Sequence, residues 1–338
     1  MVADRRPATD ALVRLPKAEI HVHMEGCLET DHLVRWAGEA GMGLPRPRDR
    51  LTQFDGLASF LDYLDWGCGL ITSGERLAQL AYGVSRRLHE DGTLYADVIF
   101  NPTHWSAWHG RLPAMLDALD GGFREAEADG LAPVGLCVSL LRQQSGDEAI
   151  ELVELLLRLR HPRVVGLSVD GNEARAGRTG TRFAEAFARA RAGGLRRTVH
   201  AGESSGPEGV WDAVRLLHAD RIDHGVRAVE DEALMAHLAE RAIPLGICPT
   251  SNLTLGLYPT LAEHPLDRLR RAGIPISINT DDPVPLATTL ADEYAACASA
   301  FGWDDAVLRA VARTSINASF APEPLKTALL GDLAGWSP

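Results

Sequence analysis

The sequence of 338 residues predicts a (β/α)₈ barrel, or TIM barrel, on three observations. Short apolar runs alternate with segments of helical spacing along the whole chain, which indicates parallel strands joined by helical crossovers. Eight such units can be counted, and eight is the number that closes a TIM barrel. A doubly wound open sheet is the alternative fold, but the phosphate loop or GxGxxG motif that usually follows its first strand is missing.

The predicted strands are apolar runs bounded by turn-forming residues. In chain order they are Lys17–His23, Thr93–Asn101, Pro133–Leu141, Val164–Gly171, Arg196–His200, Asp220–His224, Ile243–Cys248 and Pro275–Thr280. Crossover helices are predicted over Glu148–Arg160, Arg182–Ala192, Pro207–His218 and Asp231–Arg241. Extra C-terminal helices are predicted over Leu290–Ala300, Asp304–Ser319 and Leu325–Leu333. No linker or change in composition interrupts the chain, so residues 1–338 are predicted to form one domain.

The connection between the first two strands, Met24 to Gly92, is unusually long. Helical patterns lie around Asp31–Glu39, Leu57–Ile71 and Arg76–Glu90. Because long insertions in a barrel usually cover its active-site end, this connection is predicted to be a helical lid. Its apolar and aromatic residues either roof a pocket or form the packed face of a helix: Phe54, Leu57, Phe60, Leu61, Leu64 and Trp66.

The first strand carries the side chains around which the site is predicted. Strand alternation puts His21 and His23 on one face, where two imidazoles can supply two ligands of a metal site. Two ordinary histidines on a half-buried strand are the plainer interpretation. The metal site is favoured because polar residues end several later strands, where TIM-barrel active sites collect: Gly171, Glu173, His200, His224 and Asp281.

Three imidazoles and one carboxylate are predicted to bind one Zn²⁺ per chain: His21, His23, His200 and Asp281. Such a set leaves a position open for water, which is typical of a catalytic zinc site. Binuclear barrel hydrolases usually bridge their two metals with a carbamylated lysine on the fourth strand. That strand contains no lysine, and the two lysines of the chain, Lys17 and Lys326, lie elsewhere.

The composition predicts a soluble cytoplasmic protein. Hydrophobic residues are 46% and charged residues 24% of the chain, as in ordinary globular proteins. The net charge of −12 argues against binding to nucleic acid or to an anionic membrane. Five cysteines without a CxxC spacing indicate reduced thiols, and neither a signal peptide nor a membrane-spanning run is seen. No feature indicates the oligomeric state.

With these motifs the sequence resembles the adenosine deaminase family of metal-dependent hydrolases. The resemblance extends over essentially the whole chain, through LPKAEIHVHMEG, VHAGE, RIDHG, CPTSN and SINTDDP. It implies zinc-dependent hydrolysis of the amino group of an adenine ring, which gives a hypoxanthine ring and ammonia. The expected substrate is a nucleoside of the adenosine type, and adenine itself or aminodeoxyfutalosine are the alternatives.

The resemblance also implies catalytic and substrate-binding residues. Glu203 is expected to protonate the ring nitrogen beside the attacked carbon, and His224 to take the proton of the water or to orient it. Asp282, buried beside an ionised Asp281, is expected to keep its proton and to donate to the imidazole side of the purine. The Gly171 N–H is expected to donate to the other edge of the ring, which a glycine lets approach closely.

Departures from the family pattern bear on the substrate. Glu25 stands where adenosine-specific members usually carry an aspartate that contacts the ribose, so Glu25 is expected to set substrate choice. The fourth strand ends in SVDGNE rather than DLAGxE, and the segment Asn101–Trp105 also differs. Three tryptophans either line a pocket for a larger apolar substituent or pack in the lid: Trp66, Trp105 and Trp108.

Two other functions fit the sequence less well. A zinc deaminase of the cytidine type requires H-x-E followed by P-C-x-x-C, and that combination is absent from the sequence. A binding module that has lost its chemistry would lack Glu203 or a metal ligand, and the sequence retains all of them.

Overall fold

A computed structural model describes residues 8–54 and 56–338, except for the side chains of residues 57 and 58. Eight parallel strands follow one another around the sheet in chain order. They are β1 (Lys17–His23), β2 (Thr93–Phe100), β3 (Val134–Leu141), β4 (Val164–Asp170), β5 (Arg196–Ala201), β6 (Arg221–His224), β7 (Leu245–Ile247) and β8 (Ile276–Ile278). Each strand lies within two residues of its predicted bounds.

The sheet closes between its first and last strands. Val22 pairs with Asp281 in a parallel bridge, and the His23 N–H donates to the Asp281 carbonyl at 2.7 Å. The Asp281 N–H in turn donates to the His21 carbonyl at 3.2 Å. The predicted TIM barrel is therefore confirmed, and the open doubly wound sheet is wrong.

Helices surround the barrel on the outside. From the N-terminus to the end of the fourth crossover they are α1 (Asp10–Val13), α2 (Thr30–Glu39), α3 (Leu57–Gly69), α4 (Gly74–Glu90), α5 (Leu112–Ala128), α6 (Gly146–Leu159), α7 (Glu173–Ala176) and α8 (Ala184–Ala192). The remaining ones are α9 (Pro207–Arg215), α10 (Glu232–Glu240), α11 (Pro249–Thr254), α12 (Leu266–Arg271), α13 (Leu290–Phe301), α14 (Asp305–Ala318) and α15 (Glu323–Gly335).

The long connection after β1 divides into a cover and a wall. Helix α3 and the loop before it lie over the carboxyl end of the barrel, where they line the main cavity. Helix α4 instead packs along α5 and against β2, with a buried stripe at helical spacing that includes Leu77, Leu80 and Val84. The lid prediction therefore holds for α3, but α4 is the first crossover helix of the barrel.

The C-terminal helices complete the outer layer. Helix α14 packs against β1 and β8, and its Ser315 Oγ accepts the Ala18 N–H at 3.0 Å. Helix α15 packs on α14. Among the described residues, no helix is both long enough and apolar enough to cross a lipid bilayer.

Candidate active site

Five predicted side chains meet at the carboxyl end of the barrel. The Nε2 atoms of His21 and His23 each lie 3.3 Å from Asp281 Oδ1, and His23 Nε2 lies 3.0 Å from His200 Nε2. Ligand atoms of His21, His200, His224 and Asp281 all lie within 4.8 Å of one another. His23 is outside that group of four but touches two of its members, so distance alone does not choose between His23 and His224 as a ligand.

The donor set fits a metal ion. His21 Nδ1 contacts the Gly246 carbonyl at 3.0 Å, so that nitrogen carries the proton and Nε2 presents a lone pair to the cluster. His21 Nε2 is buried and has no hydrogen-bond partner among the described residues. The Asp223 carboxylate lies 3.4 Å from His200 Nδ1, where it can orient that imidazole in the same way.

Two residues of the cluster have left-handed backbone. The φ angles of His224 and Asp281 are 64° and 66°, a region that residues other than glycine seldom adopt. His224 is the last residue of β6, and Asp281 lies just beyond β8. Backbone of this kind is characteristic of functional sites, because surrounding structure has to hold it in place.

Adjacent carboxylates after β8 have opposite protonation preferences. Burial alone would raise the pKa of Asp281, but the imidazoles of His21 and His224 hold that pKa well below its usual value. Burial, and then the charge of Asp281, raise the pKa of Asp282 well above the ordinary range. Asp282 Oδ1 is buried and without a partner among the described residues, as expected for a group that meets a ligand.

The glycine of HVHMEG makes room for Asp282. A Cβ atom on Gly26 would lie 2.2 Å from Asp282 Oδ1 and 2.5 Å from Asp282 Cα. Any side chain at residue 26 would therefore push the loop after β8 away from β1. The first motif thus positions the last one, although they are separated by most of the chain.

Glu203 lies beside His224, with its side chain 17% exposed. Its Oε1 lies 3.5 Å from His224 Nε2, and it lines the main cavity. Burial, followed by the charges of Asp281 and Glu173, raises the pKa of Glu203 to about 8. A carboxyl group with such a pKa holds a proton at neutral pH and can act as a general acid.

The loop that carries Glu203 is held by Glu173, to which the sequence analysis assigned no role. Glu173 Oε2 accepts the N–H groups of Glu203, Ser204 and Ser205 at 3.0, 3.2 and 3.1 Å. Its Oε1 accepts the Gly202 N–H at 3.0 Å. The only sequence signal was the position of Glu173 at the end of SVDGNE, just beyond the predicted strand.

A buried chain of hydrogen bonds fixes the tautomer of His224. The Leu266 N–H donates to His264 Nδ1 at 3.2 Å, so His264 must donate from Nε2 to Asn252 Oδ1, 3.1 Å away. Asn252 Nδ2 then donates to His224 Nδ1 at 3.4 Å. Burial lowers the pKa of His224 to about 3, and the neutral ring therefore carries its proton on Nε2, which faces Glu203 and Asp281.

A second polar network joins the ends of β1, β2 and β4. Glu25 Oε1 accepts the Trp105 Nε1–H at 2.7 Å and the Asn101 N–H at 2.9 Å. Asn101 Nδ2 donates to Asp170 Oδ1 at 2.5 Å. Glu25 Oε2 is buried without a partner among the described residues. The family pattern indicated a role for Glu25 but none for Asp170.

These residues surround one cavity of about 520 Å³. Its lining includes Glu25, Gly171, His200, Glu203, His224, Asp281 and Asp282. The cover contributes Phe54, Phe60, Leu61 and Leu64, so these four roof the pocket; the side chain of Leu57, also expected there, lies outside the described residues. His104 also lines the cavity and contacts Asp65 Oδ1 of α3 at 2.6 Å.

The three tryptophans pack rather than line this cavity, which decides between the two predicted roles. Trp105 is buried and donates to Glu25, and Trp108 donates to the Ile71 carbonyl at 2.7 Å. Trp66 packs beside Tyr63, with ring centroids 6.1 Å apart. None of the three is among the described residues that line the cavity.

Comparisons with known proteins agree with the resemblance that the motifs indicate. The adenosine deaminase family model matches residues 16–336. An adenine deaminase of Agrobacterium fabrum is 37% identical over 320 residues, 94% of this chain and 98% of that protein. An adenine deaminase of Rhodospirillum rubrum is 35% identical over 95% of this chain and 96% of its own length.

Solved structures share the fold over nearly the whole chain. The adenine deaminase of Arthrobacter aurescens has a TM-score of 0.88 at 28% identity and covers 95% of this chain and 98% of its own. An amidohydrolase of Burkholderia ambifaria with bound zinc has a TM-score of 0.89 at 29% identity, over 99% and 94% of the two chains. Together with the motifs and the barrel, these matches show that the chain belongs to the adenosine deaminase family and is a hydrolase that acts on carbon–nitrogen bonds of cyclic amidines.

Proposed function

We propose that this enzyme deaminates free adenine to hypoxanthine and ammonia. Relatives at least 35% identical over 94–95% of the chain, and a solved structure that covers 95% of it, are adenine deaminases, which favours the base over the adenosine-type nucleoside expected first from the sequence. The enzyme would work in the cytoplasm, where a reducing environment keeps its five buried cysteines as thiols.

The observation that carries this choice is the charge of the cavity wall. Its described lining contains six carboxyl groups and no lysine or arginine. A nucleotide phosphate would find none of the cationic donors that phosphate sites use. Where the ring edge beside Gly171 would lie, the wall offers the linked carboxylates of Glu25 and Asp170, which suit a substrate edge that bears N–H groups.

The residues that would hold one Zn²⁺ are His21, His23, His200 and Asp281. The unpaired, buried Nε2 of His21 supports this set, and a related amidohydrolase structure contains zinc. Lys17 and Lys326 are occupied elsewhere: the Lys17 ammonium donates to the Leu12 carbonyl at 3.0 Å and Lys326 to the Asn317 carbonyl at 3.2 Å. A zinc ion in this site supplies a water of lowered pKa, so that hydroxide is available at neutral pH.

The side chains around the metal site each have a different part in proton transfer and hydrogen bonding. Glu203 holds a proton and gives it to the ring nitrogen next to the carbon that bears the amino group, so that attack does not leave charge on the ring. Asp282 keeps its proton because of burial and Asp281, and donates to the imidazole side of the purine. The Gly171 N–H donates to the opposite edge.

His224 acts as a hydrogen-bond donor rather than as a base. Its Nδ1 already accepts from Asn252, so its Nε2–H is left to donate beside Glu203 and Asp281, where a reacting oxygen could be held. Of the two roles expected from the sequence, this arrangement favours orienting the oxygen over removing its proton.

A substrate panel tests the function directly. Purified enzyme loaded with zinc is assayed for ammonia release from adenine, adenosine, deoxyadenosine, adenosine monophosphate and aminodeoxyfutalosine. We expect kcat/KM for adenine to exceed every other value by at least about 100-fold, because the other substrates lack the ring N–H that the wall is built to bind. A higher kcat/KM for adenosine than for adenine would overturn the proposal.

A further inference from the structure

We propose that Asp170 accepts the imidazole-ring N–H of free adenine and so selects the base over derivatives substituted at nitrogen 9. This inference rests on the proposed function and assigns its specificity to one carboxylate. Asp170 is the last residue of β4, lines the cavity and is only 5% exposed. A buried carboxylate that faces a cavity needs a donor there.

The neighbouring amide fixes which oxygen of Asp170 is free. Asn101 Oδ1 accepts both the N–H of Thr103 at 3.1 Å and its hydroxyl at 2.7 Å. Because the oxygen of Asn101 faces Thr103, its Nδ2 must face Asp170, where it donates to Oδ1 at 2.5 Å. One oxygen of Asp170 is thus occupied, and the other remains as an acceptor on the cavity side.

Asp170 and Gly171 together match one edge of adenine. Gly171 has a φ of 99°, lines the cavity, and its N–H donates to no backbone carbonyl of the described residues. Nitrogen 3 of adenine is an acceptor. Nitrogen 9, on the same edge and separated from it by one carbon, carries a proton in the free base. The Gly171 N–H and the Asp170 carboxylate form the complementary donor and acceptor. A nucleoside keeps the acceptor at nitrogen 3 but has carbon in place of the proton.

Glu25 is a less suitable acceptor for this proton. Its Oε2 is also without a partner among the described residues, so position and not occupancy separates the two carboxylates. Glu25 is joined to Asp170 only through Asn101. Asp170 precedes Gly171 directly, so the two groups are held by one peptide unit. A site built to bind a substrate N–H rejects an analogue without it by about 10⁴-fold, which 9-methyladenine can test without the bulk of a sugar.

The decisive variant is Asp170→Asn. If the introduced amide turns its oxygen towards Asn101, its NH₂ faces the N–H of the adenine ring. If it turns the other way, its NH₂ faces the NH₂ of Asn101. Either orientation opposes two donors. We expect kcat/KM for adenine to fall at least about 100-fold, while kcat/KM for 9-methyladenine changes less than about threefold.

A double variant separates recognition from structural damage. Asn101→Ala removes the opposing NH₂, so the amide introduced by Asp170→Asn could turn its carbonyl to the substrate. We therefore expect Asn101→Ala combined with Asp170→Asn to recover adenine activity about tenfold over Asp170→Asn alone. A residue that only braced the loop would lose further activity when its second partner was removed.

Asp65→Asn is the matched control, because it removes a carboxylate from the same cavity but outside this network. It should leave the ratio of kcat/KM for adenine to that for 9-methyladenine within about threefold of wild type. Should Asp170→Asn fail to fold in a thermal melt, Asp170→Ala takes its place, and the same ratio must again fall at least about 100-fold.

The outcomes distinguish the two proposals. If the wild-type enzyme prefers adenosine to adenine, both the proposed function and the inference about Asp170 are wrong. A wild-type enzyme that deaminates adenine and rejects 9-methyladenine, while Asp170→Asn or Asp170→Ala retains that ratio, leaves the function standing and overturns the role of Asp170.

Discussion

The loop that carries Glu203 should depend on the charge of Glu173, and Glu173→Gln tests this dependence. Glu173 Oε2 accepts three consecutive backbone N–H groups, from Glu203 to Ser205, and Oε1 accepts a fourth from Gly202. Glu173 itself is only 2% exposed, so water cannot replace these contacts. A glutamine at this position keeps the shape of the side chain but has one oxygen instead of two.

The magnitude follows from these four contacts. If the amide oxygen keeps the three N–H groups, its NH₂ faces the Gly202 N–H, and that buried donor loses its acceptor at a cost of about 1–3 kcal/mol. The other three hydrogen bonds lose their charge assistance, at roughly 0.5 kcal/mol each. The total is about 2.5–4.5 kcal/mol. If the loop moves to avoid part of this cost, it displaces Glu203 instead.

We expect Glu173→Gln to lower kcat for adenine by about 100-fold, with bound metal unchanged, because about 1.36 kcal/mol corresponds to a factor of ten in rate. Steady-state kinetics measures kcat, metal analysis measures the bound metal, and urea unfolding measures the loss of stability. Glu148→Gln is the control: Glu148 accepts Ser145 N–H and hydroxyl groups at the exposed start of α6. It should lose about 1 kcal/mol or less and keep its kcat. Wild-type kcat and stability in Glu173→Gln would refute the reasoning.

Three further predictions concern the metal, the acid and pH. His23→Ala should lose zinc by atomic spectroscopy while the barrel stays folded, whereas His224→Ala should retain zinc; full occupancy in His23→Ala would remove His23 from the ligand set. Glu203→Gln should keep zinc and lose at least the roughly 10²–10⁴-fold that general acid catalysis provides, and a tenth of wild-type turnover would place the acid elsewhere. Burial lowers the pKa of His264 to about 4, so the folded protein binds fewer protons than the unfolded chain between about pH 4 and 6.5. Stability from this group should fall by about 3 kcal/mol as pH drops through that window, and a His264→Gln variant with the same pH dependence by urea unfolding would contradict the assignment.

The order of elements and the members of the cluster could be predicted because they depend on local pattern. Alternation within β1 places His21 and His23 on one face whatever the rest of the chain does. The parallel arrangement then brings strand ends to one side of the barrel, so His200 and Asp281 join them without any knowledge of register. The protonation contrast between Asp281 and Asp282 also follows from adjacency and burial alone.

The helices of the insertion were predicted, but not all of their positions. In the sequence, α3 and α4 both show apolar residues at helical spacing, and this pattern does not tell which of them covers the cavity. Only packing shows that α3 covers the cavity while α4 lies against α5 and β2. The same limit applies to Trp105, whose aromatic side chain suits a pocket as well as a core, until its Nε1 is seen to bind Glu25.

What the sequence by itself determined was the barrel, the family and the histidines and aspartate that meet at the carboxyl end of the barrel, since each rests on short-range periodicity or on continuous motifs. Tertiary structure alone decided how polar groups from distant segments pair. Glu173 reaches the Glu203 loop, Asn252 sets the tautomer of His224, and Asn101 orients Asp170. Hydrogen bonds are directional and act over about 3 Å, so these partners depend on strand register and loop course, which no local pattern encodes.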